Sequence, residues 1–353
     1  MLKQKLFIYI KDVIDKKRRN IFLSALLTFL SLFFRFLSFF RNALYDLKIL
    51  KATKVKSKVI SIGNIVAGGA GKTPFTIFLA KKLISKYKVG IISRGYKSKA
   101  ENKNIVIDQN TKFLAKDISD EALVLKNHIN DALFFIGKDK LKSCSKATQM
   151  KCDVSIIDDG FQYRKLKKDI EIVIINAKDP FGKNSFLPKG YLREHPKNLK
   201  RADFIVINNA NGKINHLENQ IKQYSSAPIA YTKPYVKRVL DTSKKEIKIR
   251  KKSKIAAFCA IANPDIFFEN LKDLGFEIVN TIYLLDHETV HLKSFKTFIE
   301  SSIAKGAKYI LTTEKDIVKF PNVISSDIPI LYLEIDLKIT HNHEHLSRLV
   351  EKI

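Results

Sequence analysis

Residues 59–73 read Val-Ile-Ser-Ile-Gly-Asn-Ile-Val-Ala-Gly-Gly-Ala-Gly-Lys-Thr. The run predicts a β-branched strand, a glycine-rich turn and then a helix over Pro74 to Leu83. Such a turn predicts a phosphate site, because glycines let backbone N–H groups converge on an anion and the helix N-terminus adds partial positive charge. In this arrangement Lys72 reaches the outer phosphates of a nucleotide, and the hydroxyl of Thr73 is a ligand of Mg²⁺.

The glycines of this turn depart from the strict Walker A pattern. The pattern places a glycine five residues before the last glycine of the turn, and this chain has Val66 there. Its glycines are Gly68, Gly69 and Gly71. A glycine-rich turn that binds nothing is the alternative, but it gives the lysine and threonine after the turn no packing reason to be there. We therefore expect the three glycines to bind nucleotide phosphates.

Composition limits the class of protein. The chain has 353 residues, of which 45% are hydrophobic, and a formal net charge of +29, so it is long enough for two domains. Its lysines are spread along the chain and do not alternate with aromatic residues that stack on bases, so we expect no nucleic-acid partner. The charge favours an anionic membrane surface or a phosphorylated substrate. The three cysteines lack metal or disulfide spacing, which indicates a reduced, cytosolic compartment.

A strongly apolar segment, Ile21 to Phe40, precedes the glycine-rich turn and follows a basic run at residues 16–19. Its polar residues recur every three or four positions and so share one narrow helical stripe: Ser24, Thr28, Ser31, Arg35, Ser38 and Asn42. The remaining face is wide and consists of Leu and Phe. We expect a helix whose polar stripe packs on the body of the protein while its apolar face lies at, or dips into, a membrane surface.

Three other interpretations of the segment stay open on the sequence alone. A cleaved signal peptide has a shorter apolar run and a small-residue cleavage site. A transmembrane span fits the length, but Arg35 lies inside it, and with the basic run inside the cell the glycine-rich turn would face away from ATP. An ordinary core helix explains less well why so many phenylalanines share one arc.

Strands and helical segments alternate after the turn. The predicted strands are residues 88–92, 104–108, 133–136, 154–157, 170–176 and 204–208. This alternation predicts an α/β fold with a P-loop NTPase core, in which a mostly parallel sheet has helices on both faces. Ligands bind such sheets beyond the carboxyl ends of the strands, so the polar residues at strand ends are the candidate site.

Two adjacent aspartates, Asp158 and Asp159, end the strand at residues 154–157. Because like charges repel, stability explains this pair poorly. A Walker B strand ends in an acid that holds Mg²⁺, which accounts for it better. A later loop contains Arg193 and Glu194, which have the chemistry to clamp phosphate and to support the metal, respectively.

A polar sequence also begins a helical segment predicted over residues 123–127. Ser119 or Asp120 can be its N-cap and Glu121 a first-turn acid. A functional role for Asp120 remains open beside the capping role. In the second half, a charge-rich break at residues 242–254 precedes a new pattern of strands and helices, and polar residues again follow its strands.

The motifs together resemble those of the tetraacyldisaccharide 4′-kinases of lipid A biosynthesis. They are the glycine-rich turn, Ser-Arg-Gly-Tyr at 93–96, Asp-Asp-Gly-Phe-Gln at 158–162, Leu-Pro-Lys-Gly-Tyr-Leu-Arg-Glu at 187–194, Asp-His at 286–287 and Thr-Glu-Lys-Asp at 313–316. The resemblance extends from the N-terminal helix to about residue 320. It implies transfer of the γ-phosphoryl group of ATP, with Mg²⁺, to the 4′-hydroxyl of a tetraacyldisaccharide 1-phosphate, which gives lipid IVA. It also implies the cytoplasmic face of the inner membrane, with peripheral or monotopic attachment through the N-terminal helix and no obligate protein partner.

The resemblance also implies roles for single residues. Lys72 is the phosphate-binding lysine and contributes to catalysis, while Arg193 lies near the phosphates. Asp120 matches the general base, and His287 matches the histidine that pairs with it. A carboxylate oriented by an imidazole can accept the proton of a sugar hydroxyl as the phosphoryl group transfers. The implied metal site consists of Thr73, Asp158, Asp159 and Glu194.

Three domains are expected. Residues 1–50 form the membrane-associated helix and its basic flank, residues 51–228 the P-loop kinase core, and residues 229–353 a hinge ribbon with a smaller C-terminal α/β domain. The resemblance implies a two-stranded ribbon at the hinge, and the matching segments here are Ala230–Leu240 and Leu331–Ile339.

The chain departs from the family pattern at several positions, with Ser119 for a usual glycine, Ala122 for proline, Tyr163 for histidine and Ala260 for glycine. None of these changes removes a phosphate, metal or base group. The alternative function is a membrane-docked P-loop NTPase that acts as a switch or drives a partner. Such a protein hydrolyses nucleotide without a lipid acceptor, whereas a lipid kinase needs one.

Overall fold

The structure, a computed structural model, describes residues 2–108, 111, 113–261, 264–284, 292–319 and 326–353. The helices are α1 Leu2–Ile14, α2 Ile21–Asp46, α3 Lys72–Leu83, α4 Ala115–Ile118, α5 Asp120–His128, α6 Lys140–Gln149, α7 Asn215–Lys222, α8 Pro264–Asp273, α9 Leu292–Ala304, α10 Glu314–Ile317 and α11 His343–Glu351. The strands are β1 Lys58–Gly63, β2 Val89–Ser93, β3 Ile105–Ile107, β4 Leu133–Ile136, β5 Val154–Asp158, β6 Ile170–Asn176, β7 Phe204–Asn208, β8 Ile229–Asp241, β9 Lys254–Cys259, β10 Glu277–Tyr283, β11 Tyr309–Thr313 and β12 Ile330–His341.

Within these residues the strands form one twelve-stranded sheet in the order β10-β9-β11-β12-β8-β7-β6-β1-β5-β2-β4-β3. Neighbouring strands are parallel except for the β12–β8 and β3–β4 pairs. The central strands are nearly continuous runs of Ile, Val and Phe, which is typical of parallel strands covered on both faces. Side chains of α3, α5 and α11 pack in the core cluster on one face, and side chains of α6 pack in a different cluster. The predicted helices on both faces are therefore present.

Strand order brings the candidate site residues to one edge of the sheet. β1 lies between β5 and β6, and Ile62 near the end of β1 is in register with Asp158 at the end of β5. The glycine-rich turn follows β1, so it emerges beside the two aspartates. This adjacency is the geometry that a Walker A turn and a Walker B strand require.

Strand β8 connects the two halves of the sheet. Its first residues pair in parallel with β7, from Ile229 to Thr232, and it pairs antiparallel with β12 from Tyr231 to Asp241. The segments expected to form a ribbon, 230–240 and 331–339, are therefore paired in the structure. β11 joins the other side of β12, so the C-terminal strands extend the same sheet.

Helix α2 lies on the body of the protein through its polar stripe. The hydroxyl of Ser31 donates to the main-chain oxygen of Phe186 at 2.9 Å, and that of Ser38 donates to the main-chain oxygen of Arg193 at 3.3 Å. The apolar side is open, and Phe22, for example, is 90% exposed. The predicted packing of the polar stripe is confirmed, and the core-helix interpretation is wrong.

By length and composition α2 could cross a bilayer, and it is the one helix among the described residues with that property. The same property occurs in buried core helices and in signal sequences, so by itself it supports membrane association only weakly. The exposed phenylalanines exclude the first of these explanations here.

Candidate active site

The turn between β1 and α3 is shaped by glycine. Gly68 and Gly71 have φ of +110° and +91°, in the left-handed region that glycine adopts without strain. A Cβ atom at Gly71 would collide with the side-chain amide of Asn208, which donates to the main-chain oxygen of Ala70 at 3.0 Å. A Cβ at Gly68 would meet no atom within 4 Å, so the turn is open to a ligand there. Gly69 lies between them in the same turn.

Asn208 fixes the turn from the neighbouring strand end. It is the last residue of β7, and its Oδ1 accepts a hydrogen bond from Thr232 Oγ1 at 3.0 Å. The helix after the turn begins at Lys72, two residues before the predicted start, and Thr73 is its second residue. The N–H groups of Lys72 and Thr73 have no partner within the helix, which suits them to bind an anion.

Two cations converge on Asp159 beside the turn. Lys72 Nζ lies 3.4 Å from Asp159 Oδ1, and the guanidinium of Arg193 donates to both carboxylate oxygens, at 2.7 and 3.1 Å. Burial alone would raise the pKa of Asp159, but the charges of Lys72 and Arg193 outweigh it and lower that pKa strongly. The structure thus brings together the predicted phosphate-binding lysine, the predicted phosphate-binding arginine and one predicted metal ligand.

Asp158 is a buried carboxylate with the chemistry of a predicted metal ligand. It is 5% exposed, and its Oδ1 has no hydrogen-bond partner among the described residues. Burial, together with the charge of Glu121, raises its pKa to about 7. A buried carboxylate oxygen without a partner is costly, and a hard cation such as Mg²⁺ would satisfy it. The donor set of two carboxylates and a threonine hydroxyl therefore fits Mg²⁺.

No three His, Cys, Asp or Glu side chains converge on a preformed metal cage in the part of the chain that the structure describes.

Asp120 begins α5 at the same edge of the sheet. It is 5% exposed, its Oδ1 accepts from the N–H of Glu121 at 2.9 Å, and its Oδ2 lies 3.5 Å from Lys319 Nζ. The helix is capped by Ser119, whose Oγ accepts from the N–H of Ala122 at 3.3 Å, so capping does not explain Asp120. His287 lies outside the described residues.

Comparison with known proteins assigns the family. The model of the family described as LpxK, tetraacyldisaccharide-1-P 4′-kinase, matches residues 23–353. The chain belongs to this family.

Several relatives named tetraacyldisaccharide 4′-kinase cover most of the chain. The one from Halothermothrix orenii is 33% identical over 343 residues, which are 90% of this chain and 89% of the relative. The one from Chlamydia abortus is 36% identical over 310 residues, or 85% and 83% of the two chains. A crystal structure of LpxK from Aquifex aeolicus, described as an "apo" form in complex with ATP, matches with a TM-score of 0.73 at 27% identity and covers 94% of this chain and 99% of its own. The resemblance and the fold class predicted from the sequence are confirmed, and the chain is a kinase.

In this 4′-kinase family member, a buried lysine that sequence reasoning missed holds the backbone of the two adjacent aspartates. Lys140 begins α6, and its ammonium donates to the main-chain oxygens of Asp158, at 2.8 Å, and Asp159. Burial lowers the pKa of Lys140 to about 8, against the opposing charges of Asp159 and Asp158. No signal in the sequence indicated this contact beyond the position of Lys140 shortly after β4.

Tyr163, which stands where the family often has histidine, fixes the start of α6. Its hydroxyl donates to Oδ1 of Asp139, the N-cap of α6, at 2.9 Å and accepts from the N–H of Leu141 at 3.2 Å. The side chain therefore supports the helix end from which Lys140 reaches the aspartates.

Glu194 contacts α2 rather than the two aspartates. It is 1% exposed and accepts hydrogen bonds from Asn42 at 3.2 Å, Asn198 at 2.7 Å and Arg201 at 2.9 Å. Its neighbour Arg193 reaches Asp159, so this loop joins the kinase site to the N-terminal helix. The metal role of Glu194 stays a prediction.

Proposed function

We propose that this chain transfers the γ-phosphoryl group of ATP to the 4′-hydroxyl of a tetraacyldisaccharide 1-phosphate and so gives lipid IVA. The observation that carries the proposal is the convergence of Lys72 and Arg193 on Asp159, beside the buried Asp158. The charge of Glu121 contributes to the raised pKa of Asp158, so the start of α5 lies within electrostatic reach of the metal carboxylates. A candidate base thus lies close to the candidate phosphate and metal groups.

The phosphate-binding groups in the proposed site are the backbone of Gly68, Gly69 and Gly71 together with Lys72 and Arg193. Mg²⁺, when bound, neutralises charge on the phosphate oxygens, and its proposed ligands are Thr73, Asp158, Asp159 and Glu194. The bonds from Asn42, Asn198 and Arg201 all reach Oε2 of Glu194, whereas its buried Oε1 accepts no hydrogen bond among the described residues, so the contact with α2 leaves one oxygen for the metal.

The proposed reaction is an in-line displacement. The 4′-oxygen forms a bond to the γ-phosphorus, the bond from that phosphorus to the β–γ bridging oxygen breaks, and ADP leaves. The hydroxyl proton passes to the carboxylate of Asp120, which acts as general base. His287, as the predicted partner of Asp120, would orient this carboxylate.

The proposal also assigns a function to each of three segments of the chain. Residues 1–50 associate with the cytoplasmic face of the inner membrane, 51–228 form the kinase core, and 229–353 form the hinge ribbon and smaller domain. The antiparallel pairing of β8 with β12 supports the hinge, and the exposed apolar face of α2 supports the membrane contact. The lipid substrate keeps its acyl chains in that membrane.

The test is incubation with labelled ATP and detergent-dispersed tetraacyldisaccharide 1-phosphate. We expect a second phosphate on the lipid, and we expect Asp120→Asn to lower kcat by about 100-fold or more because the base is lost. Asp131→Asn removes a carboxylate of the same charge at an exposed site just beyond α5 and should leave kcat unchanged. ATP hydrolysis that proceeds without lipid, with no lipid product, would instead favour the membrane-docked NTPase.

Metal binding should release a proton from Asp158. With a pKa of about 7, this carboxyl is partly protonated near neutrality, and Mg²⁺ binds its ionised form. Binding of MgATP at pH 7 is expected to release about half a proton from this group, more at pH 6 and little at pH 8. Calorimetry in buffers of different ionisation enthalpy measures the number. The Asp158→Asn variant has no carboxyl proton to release at this position, whereas protons released by ATP itself are the same for the variant and the wild-type protein. Equal proton release from the variant and the wild-type protein would therefore contradict the prediction.

A further inference from the structure

A lysine from the C-terminal part of the chain lies against the candidate base. Lys319 Nζ is 3.5 Å from Asp120 Oδ2 and 2.9 Å from Asp316 Oδ1, and its side chain is only 10% exposed. We propose that Lys319 is a positioning residue, which holds the carboxylate of Asp120 in place for proton transfer. The inference rests on the proposed function, and it adds a residue that the family motifs quoted above do not contain.

Lys319 is itself held rigidly by Asp316. That carboxylate is 1% exposed and accepts hydrogen bonds from Thr313 Oγ1 at 2.6 Å and from the N–H of Ala260 at 2.9 Å. Thr313 also caps α10, so the Thr-Glu-Lys-Asp turn and the end of β9 both fix the acid. A lysine side chain has many rotamers, and this fixed partner restricts it to the one that faces Asp120.

Two further contacts hold the turn of α10 along α5. Lys315 Nζ lies 3.0 Å from Glu121 Oε1, and Glu314 Oε1 lies 2.5 Å from His128 Nε2. Glu121 is in the first turn of α5 and His128 is its last residue, so the two contacts span the helix. The approach of Lys319 to Asp120 is therefore part of an extended docked surface, not an isolated meeting of two side chains.

The two oxygens of Asp120 have different neighbours. Oδ1 accepts from the N–H of Glu121, and Oδ2 faces the ammonium of Lys319. The N–H group thus fixes one oxygen of the carboxylate and the ammonium fixes the other, so the orientation of the carboxylate depends on both. Lys319 acts through Asp120, and we assign it no contact with substrate.

The test compares Lys319→Met with Lys319→Arg in the lipid phosphorylation assay, using the full chain. Met keeps most of the side-chain volume without the charge, and we expect it to lower kcat about 10- to 100-fold while KM for ATP changes less than about twofold. Arg keeps the charge and should recover part of the lost kcat. Lys308→Met removes an exposed lysine from the same part of the chain and should leave kcat unchanged.

A double-mutant cycle separates positioning from a general loss of docking. If Lys319 acts through Asp120, Lys319→Met should reduce activity little further in an Asp120→Asn background, whereas fully additive losses would overturn the proposal. Lys315→Met weakens the docked surface without touching Asp120, and an equally large loss of kcat from it would also overturn the proposal.

Wild-type protein in the same assay distinguishes failure of the proposed function from failure of the proposed role of Lys319. No lipid product from wild-type overturns the proposed function and the role of Lys319 with it. A normal wild-type rate with undiminished activity of Lys319→Met overturns the role of Lys319 alone. Melting temperatures of the variants show whether any loss comes from unfolding.

Discussion

Replacing Lys72 with methionine is expected to lower the rate of phosphoryl transfer by roughly 10³- to 10⁵-fold, the range in which other cations stabilise a transferring phosphoryl group. Lys72 is the first residue of α3, and its ammonium lies 3.4 Å from Asp159 at the mouth of the glycine-rich turn. In the proposed site, this places Lys72 beside the γ-phosphoryl group, where negative charge develops during transfer. Methionine keeps the apolar stem but supplies neither charge nor hydrogen bonds.

The fold should survive this change. Arg193 binds both oxygens of Asp159 and so still compensates that carboxylate when Lys72 is gone. Lys82→Met alters an exposed lysine in the last turn of the same helix and is the matched control, with kcat expected to remain at the wild-type value. The measurement is kcat with labelled ATP at saturating lipid. A loss below about tenfold for Lys72→Met would remove Lys72 from the catalytic group.

The sequence predicted the sheet and the core of the site because both depend on local pattern. The Ile- and Val-rich runs are long enough to identify buried strands, and a polar residue at the end of a parallel strand must emerge at the carboxyl edge. Lys72 and Asp159 are distant in sequence, yet each follows a strand end, and the adjacent pairing of β1 and β5 brings them together. Strand-end logic therefore sufficed for these residues.

The positions of strand ends did not suffice to predict contacts that depend on tertiary packing. Lys140 lies 18 residues before the Asp158 carbonyl that it binds, and no periodicity connects the two. Lys319 reaches Asp120 only because α10 packs along α5. The chain has many other lysines, and nothing in the sequence distinguishes these two from lysines exposed to solvent.

Backbone conformation explains one departure from the family pattern. Ser119 replaces a usual glycine and has φ of +83°, so the chain keeps the glycine-like conformation there despite the side chain. Its hydroxyl caps α5, which offsets part of the strain. The sequence alone showed the substitution but not whether the backbone would follow it.

Glu194 shows that a sequence motif does not reveal the contacts of its residues. An acid next to an arginine with a predicted phosphate role suggests a metal ligand, and that role stays a prediction; the sequence did not show that Oε2 of Glu194 also accepts hydrogen bonds from Asn42, Asn198 and Arg201. Asn42 is 152 residues away along the chain and belongs to the polar stripe of α2. A motif gives the residue type at a position, whereas the partners that a buried carboxylate finds depend on tertiary packing.

Exchanging four phenylalanines on the outer face of α2 for serine is expected to abolish membrane association. Phe29, Phe33, Phe36 and Phe40 are between 52% and 68% exposed, and they lie on one face because they are spaced by three or four residues. Burying one such side chain contributes about 2 kcal/mol, so losing four should lower binding to vesicles more than about 100-fold. Cosedimentation with phospholipid vesicles measures the effect.

This substitution separates membrane contact from the active site better than truncation does. Deleting residues 1–42 would also remove Asn42, which bonds to Glu194 beside Arg193, so a truncated chain could lose activity for either reason. The four serines leave Ser31, Ser38 and Asn42 on the opposite stripe, and ATP binding should not change. Exchange of the same four residues for leucine keeps the apolar area and should retain vesicle binding. If the serine variant still cosediments with vesicles and phosphorylates vesicle-bound lipid at the wild-type rate, this face of α2 does not contact the membrane. Its exposed phenylalanines would then contact a different partner.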